Sequence, residues 1–577
     1  MRASTPPGRL TEYIPALGWL RSYRTGWLRF DIVAGITTAA VIIPKAMAYA
    51  TIAGLPVEAG LYTAFIPMVV YAILGTSRPL SFSTTSTIAI LTAAEFAVLP
   101  PGGGPGSLIV AASTLALLVG AFLLLAGILR MGFIANFISA PVLTGFKAGI
   151  GLVIIVDQAP KLLGVHFAKG PFFQNVFSLF QHIPQASIPT LLLGGGTLLL
   201  VAGLEHFLPR TPAPLVAVVL GIAASGFLLL NQAGVELVGK IPAGLPAPLL
   251  PDFSLVGTLW PGAMGIALMA YVESIAAGRG FARKGDSRPD PNQELIALGV
   301  ANLAGSFFRI LPAGGGTSQT AVNDKAGARS QLAELVTAGI VLAALLFLSP
   351  LFSLMPQATL AAVVIATTVG LLNPKEFRVI LQVRHVEFWL AVIAFAGVAV
   401  LGTLQGLLVA VIVSVMTLIY AANRPPIYTL GRKPGTDIFR QHSTEHPEDE
   451  TYPGLLIVRT EGTMTFASAP RIGERLKALI DEANPKVLLF DFSAVPNIEY
   501  TALKLLSDFE EKMREGGITL WLAALNPKAL DIVKRSPLFA ALGYERMFFT
   551  VERGVQAYLK TQSKGLAILK RRKRKRM

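Results

Sequence analysis

Between residues 30 and 421 the sequence is a succession of apolar runs, and two of these are broken where a backbone cannot be left unpaired. The second break, 311–331, reads LPAGGGTSQTAVNDKAGARSQ. It lies between two long apolar stretches, yet it opens on Pro312 and the glycines Gly314, Gly315 and Gly316. In lipid each unpaired backbone group costs several kcal/mol, so such a segment belongs inside protein, against a cavity. A helix can start there, near Thr317, Ser318 and Gln319. Its first-turn amides and positive dipole end would point into the membrane interior, which is half of an anion site. The bland alternative is a re-entrant turn or packing kink with no ligand. The first break, 81–87, reads SFSTTST and is rich in hydroxyls. Two broken helices in corresponding places point to inverted repeats with a site at the bilayer midplane and the two helix starts facing across it.

Composition excludes a soluble protein. Of 577 residues, 53% are hydrophobic and 14% charged, where a soluble chain carries about a quarter charged residues. There is no cysteine, hence no disulfide or thiolate metal site. The six histidines show no ligand spacing, and no catalytic triad, P-loop or metal cluster is visible. No cofactor is expected. Residues 1–13 lack an apolar core, so no cleavable signal peptide is expected. The formal charge of +15 resides largely in loops and in the tail KRRKRKRM, and does not call for nucleic acid. That tail reads as a disordered basic end.

The apolar segments fall near 30–50, 60–75, 83–98, 108–128, 138–157, 188–206, 213–231, 262–278, 291–308, 315–323, 331–349, 358–372, 386–402 and 404–421, about fourteen in all. The first seven pair with the second seven as an inverted repeat, each with one half-helix. With the N-terminus inside, the inner loops carry Arg78, Arg130, Arg210, Arg279, Arg283, Lys284, Arg288, Lys325, Arg329, Lys375, Arg378 and Arg384. Of the outer loops, 99–107 is uncharged and the two longer ones carry only Lys161, Lys169 and Lys240. That asymmetry predicts both termini in the cytoplasm; the membrane is expected to be a bacterial inner membrane.

After residue 422 the character changes. The reading divides the chain into a cytoplasmic N-terminus (1–29), a membrane domain (30–422), a linker with a first strand at 437–441 (423–452), a soluble α/β domain (453–560) and a basic tail (561–577). In the soluble part, strands are predicted at 455–459, 487–492, 518–522 and 547–551, and helices at 467–483, 501–515 and 527–535.

Several stretches together resemble one family. VIIPKAMAYATIAGLPVEAGLYTAFIP, ILGTSRPLS, YVESIAAGRGFA, DPNQELIALGVANLAGSFF and SQTAVNDKAGARSQ are similar to the SulP anion transporters, the sulfate-permease relatives. LGRKPGTDIFR and LLFDFSAVPNIEYTAL resemble the STAS domain that such transporters carry. The resemblance implies a UraA-like helical membrane fold, secondary transport of small anions by an elevator or rocking motion, and a homodimer. Three departures matter. Family members often have glutamine where this chain has Lys45, and arginine where it has Gln319. The site cation has changed walls. At 83–84 the usual Gly-Pro is Ser83-Thr84.

Lys45 sits mid-segment in an apolar helix just after Pro44, which frees a carbonyl and suggests an irregular helix. A charge at that depth is a functional feature by default; the bland alternative is a lysine snorkelling to the interface. Glu273, in GIALMAYVESIAAG, occupies the same place in the second repeat. Base and acid are expected to converge on one cavity, Glu273 as proton carrier or, alternatively, sodium ligand. A purely structural Lys45–Glu273 pair is the alternative. Ser83, Thr84, Thr85, Ser318, Gln319 and Thr320 would add hydrogen bonds to the anion. Asp324, Lys325 and Arg329 are expected at the inner mouth, Asn292 and Glu294 as braces, and Thr501 as a helix cap in the soluble domain. The expected activity is proton-coupled symport of a sulfate-type anion. The alternatives are sodium-coupled bicarbonate transport, dicarboxylate (fumarate) transport, and an uncoupled anion channel or exchanger.

Overall fold

The structure, a computed structural model, describes residues 14–99, 105–137, 139–167, 170–208, 211–239, 241–242, 244–282 and 288–574. Residues 1–13 and the loop cations Lys169, Arg210, Lys240, Arg283 and Lys284 lie outside these. The chain forms two compact units, Met1–Val415 and Met416–Met577.

A helix stands over each apolar stretch of the first unit: α1 (Leu28–Ile52), α2 (Val57–Thr63) with α3 (Ile66–Leu74), α4 (Ser86–Phe96), α5 (Pro105–Ile128), α6 (Ala140–Leu163), then α8 (Ile188–Phe207) and α9 (Ala213–Leu228) after the intervening α7 (Phe172–His182). The second half supplies α10 (Val256–Gly280), α11 (Pro291–Gly305), α12 (Thr317–Lys325), α13 (Leu332–Ala343), α14 (Gln357–Val369), α15 (Pro374–Val383), α16 (His385–Leu401) and α17 (Thr403–Ala422). Nine helices among the described residues are long and apolar enough to cross a membrane. α1 is helical through Pro44, and every residue from Val41 to Ala50 is buried. α7 and α15 were not anticipated. Each has its apolar residues on one stripe, Phe173, Phe177 and Phe180 in α7, all exposed, which is the pattern of a helix lying in a membrane interface.

The helices gather into two groups. In one, α5 packs on α11 and α10, α1 on α13, and α3 on α11. In the other, α6 packs on α16 and α14, and α8 on α14 and α9. Each group draws segments from both halves of the chain, as an inverted repeat requires. α1 is the main contact between the groups, touching α9 and α14.

The second unit is a six-stranded sheet in the order β4-β3-β5-β6-β7-β8. β3 (Ile427–Arg432) is antiparallel to β4 (Phe439–Gln441) and β5 (Leu455–Thr460). β5, β6 (Val487–Asp491), β7 (Thr519–Ala523) and β8 (Met547–Phe548) are parallel. α18 (Ala469–Ala483), α19 (Tyr500–Glu515) and α20 (Pro527–Lys534) cover one face, and α21 (Val551–Arg574) the other. Burial on both faces explains why β6 is apolar almost throughout. Three expectations need correction. The first strand is β3, not the 437–441 stretch. Helix α19 is capped at Glu499, whose carboxylate accepts from the Phe466 amide at 3.0 Å, and Thr501 is an exposed first-turn residue. The chain beyond 561 continues as helix to Arg574 rather than as a disordered end.

The buried Asp449 carboxylate accepts from Arg440 Nε and Nη2, each at 2.9 Å, and these bonds hold it below the usual carboxylate range. A carboxyl depressed in the fold stabilises it above the unfolded value of about 4, and that contribution disappears as pH falls through the folded value. Asp449→Asn should therefore destabilise the β3–β4 edge at pH 7 and make no difference well below pH 4. Hydrogen exchange of these two strands in the full chain at both pH values checks this.

Candidate substrate site

Both chain breaks meet in the first helix group. Phe82 and Ser83 form a two-residue strand, β1, antiparallel to β2 at Gly314–Gly315, with Phe82 opposite Gly315 and Ser83 opposite Gly314. α4 and α12 begin just beyond, so the two helix starts lie beside one crossing. Space is tight at Gly315: a Cβ there would come within 2.7 Å of Leu80 Cδ1 and 3.0 Å of Ser274 Oγ.

The broken backbone is paired by side chains, which is the condition for irregular chain at this depth. Leu311 donates to Thr63 Oγ1 at 2.9 Å, and Gly315 to Ser274 Oγ at 2.7 Å. Asn302 clamps Ala313, accepting from its amide at 2.7 Å and donating to its carbonyl at 3.0 Å. On the other strand, Glu334 accepts from the Phe82 amide at 3.3 Å, from Ser81 Oγ at 3.2 Å and from Asn323 Nδ2 at 3.2 Å. Gln331 Nε2 reaches the carbonyls of Ser77 and Leu80 at 2.7 and 3.0 Å.

The expected site residues divide by what they touch. Lys45 is buried and donates to Ser318 Oγ at 3.2 Å. Ser318 is itself exposed in the first turn of α12, whose N-cap, Gly316, offers no side chain to the turn's amides. Thr84 is fully buried and its Oγ1 makes no hydrogen bond; Ser83 Oγ donates to the Thr84 carbonyl at 3.3 Å. Gln319 and Thr320 touch the crossing: Gln319 Nε2 donates to the Ser81 carbonyl at 3.0 Å, and Thr320 Oγ1 accepts from the Ser81 amide at 3.1 Å.

Glu273 reaches the start of the other half-helix. Its Oε2 accepts from Thr85 Oγ1 at 3.0 Å and its Oε1 from Thr87 Oγ1 at 2.8 Å. Thr85 is the N-cap of α4, accepting from Ile88 N at 3.3 Å. The cation beside Glu273 is not Lys45 but Lys147 of α6, with Nζ 4.0 Å from Oε1. Lys45 instead lies within the field of Glu205, exposed near the end of α8. Sequence reasoning missed Lys147, Glu334 and Asn302.

The braces behave as expected. Glu294 accepts from Tyr71 OH at 2.9 Å and from the Thr76 amide at 2.7 Å, and Asn292 Oδ1 accepts from the Gly132 amide at 2.9 Å. The backbone at the expected inner mouth is held by Asp31, which accepts from the Arg329 and Ser330 amides at 2.6 and 3.1 Å.

Comparison with known proteins agrees with this architecture. The pattern of the sulfate permease family matches residues 28–396, and that of the STAS domain residues 446–554. A probable sulfate transporter of Mycobacterium tuberculosis is 34% identical over 551 residues, covering 95% of this chain and 98% of that one. The chloroplastic sulfate transporter 4.1 of Arabidopsis thaliana is 32% identical, covering 96% of this chain and 84% of that one. The murine Solute Carrier 26 family member A9 anion transporter, in its inward-facing state, shares the fold with a TM-score of 0.86 at 22% identity, over 97% of this chain and 96% of that one. The transmembrane domain of a cyanobacterium bicarbonate transporter, BicA, gives 0.56 at 25% identity, over 68% of this chain and 98% of that one. These relatives are transporters rather than enzymes. This chain belongs to the sulfate permease family of multi-pass membrane proteins, with a C-terminal STAS domain.

Proposed function

We propose that the protein is a proton-coupled symporter of small divalent anions of the sulfate type. The observation that carries the reading is the sharing of one crossing by a buried ammonium, a buried carboxylate and two helix starts. Lys45 and Ser318 mark the start of α12, while Glu273 sits on Thr85 and Thr87 at the start of α4. Two positive dipole ends and one lysine attract a doubly charged anion, and Ser83 and Thr84 supply neutral contacts. Gln319 and Thr320 keep the crossing in register rather than bind. Glu273 takes up the proton on the same side as the anion, and the two move together as one helix group moves against the other. The names of the relatives favour sulfate. The likeness to the BicA membrane domain makes bicarbonate, with sodium in place of the proton, the second reading. Further parts of the proposal are a homodimer in the bacterial inner membrane and cytoplasmic termini.

The test is uptake into proteoliposomes of sulfate, bicarbonate and fumarate, each with and without an inward proton gradient. Accumulation of sulfate driven by that gradient is the expected result. Accumulation that needs sodium, or that prefers bicarbonate, selects the second reading.

A further inference from the structure

The Lys147–Glu273 ion pair joins two helix groups that a carrier must move apart. Lys147 lies on α6, whose main neighbours are α16 and α14, whereas Glu273 lies on α10, packed on α5 and α4. The direction of the Lys147 side chain follows from its surroundings. Gly145 and Gly149 press α6 onto α16 so closely that a Cβ on Gly145 would sit 2.0 Å from the Ala391 carbonyl oxygen, and one on Gly149 2.8 Å from Val398 Cβ. Lys147, two residues on, is about 200° round the helix and faces the opposite side, where α10 presents Glu273. The Lys147 side chain is 22% exposed and that of Glu273 6%, so the pair is shielded from bulk water on the carboxylate side.

Other charges near α10 are engaged or distant. From α1, Tyr49 lies within the field of Glu273, and Lys45 is bonded to Ser318. From α4, Glu95 packs against Gly262, about 16 Å along α10 from Glu273 at 1.5 Å per residue. From α11, Glu294 is held by Tyr71 and Thr76. Asp324 and Lys325 are at the far end of α12. On α10 itself Tyr271 donates to the Gly132 carbonyl at 2.5 Å, and Arg279 lies in the last turn. Among the described residues, Lys147 is the only cation within ion-pair distance of Glu273.

We infer that Lys147 is a positioning residue for transport: its bridge to ionised Glu273 holds the two helix groups together, and protonation of Glu273 releases them. The bridge makes the empty, unprotonated carrier slow to reorient, which is what prevents a symporter from cycling without its proton. The inference rests on the reading of Glu273 as the titrating acid. Among the described residues the Lys147 ammonium is paired with Glu273 and hydrogen-bonds to none of the candidate anion ligands, so it sets the rate of reorientation and not anion affinity.

The experiment measures sulfate-for-sulfate exchange at equal pH on both sides of the vesicle, from pH 6 to 8, with sulfate binding measured in parallel. The unaltered protein should exchange faster as pH falls. Lys147→Gln should exchange at pH 8 as fast as at pH 6, with sulfate affinity unchanged, and Lys147→Arg should restore the slope. A slope in Lys147→Gln equal to that of the unaltered protein overturns the inference, as does weakened sulfate binding, which would make Lys147 an anion ligand. Should Lys147→Gln not fold, the chain's lack of cysteine offers a second route. Lys147→Cys with Glu273→Cys, joined by a short bis-thiosulfonate, should stop exchange until a reductant is added; continued exchange of the joined protein overturns the latch. Loss of proton-driven uptake in Glu273→Gln together with an unchanged slope in Lys147→Gln sinks the latch alone and leaves proton coupling standing. A Glu273→Gln protein that still accumulates sulfate with the gradient removes the titrating acid, and the latch with it.

Discussion

Glu273→Gln should abolish uphill anion uptake while leaving anion-for-anion exchange. The glutamine keeps the shape of the protonated side chain and can still meet Thr85 and Thr87, so the start of α4 stays in place. What it loses is a proton to take up on one side and release on the other, so a pH gradient has nothing to act upon. Exchange needs no change in protonation and persists. Both are read in the same vesicles, as pH-driven accumulation and as counterflow. Continued accumulation by the glutamine variant would make Glu273 structural or a sodium ligand, and a sodium requirement in the unaltered protein would point to the latter.

Lys45→Gln should weaken anion binding at least about tenfold, some 1.4 kcal/mol. Lys45 is the one cation hydrogen-bonded to a first-turn residue of either half-helix among the described residues. Its removal leaves dipole ends and neutral hydrogen bonds to hold a doubly charged ligand. Lys45→Arg should retain part of the affinity, because the charge stays while the contact with Ser318 changes geometry. Equilibrium binding of sulfate to the purified variants gives the answer. Equal affinity in the glutamine variant would remove Lys45 from the site.

The outline of the site was legible because its signals are local. A glycine run between apolar stretches, a hydroxyl-rich partner and a charge in mid-helix are each visible in a few residues. The partners were not legible, because they come from far along the chain. Glu334 reads as an ordinary first-turn acid, yet it completes the backbone of Phe82, 252 residues away. Asn302 reads as a polar residue in mid-helix, and only the fold brings Ala313 to it. Lys147 shows the same limit. Which group of helices it faces depends on the closeness of Gly145 to Ala391. Gln319 reads as a ligand from its place at the helix start, and the sequence does not show that the crossing of β1 and β2 also gives it the Ser81 carbonyl. In the soluble unit, Pro425 and Pro426 and the internal Gly431 disguised β3, whose place between β4 and β5 depends on pairing rather than on its own pattern.

The central claim is that anion and proton cross together. Vesicles loaded with a pH dye and no sulfate, then given sulfate outside at equal pH, test it without an imposed proton gradient. Sulfate running down its own gradient should acidify the lumen, in step with its entry, and Glu273→Gln should abolish the acidification. Sulfate entry with an unchanged lumen pH in the unaltered protein would contradict the account.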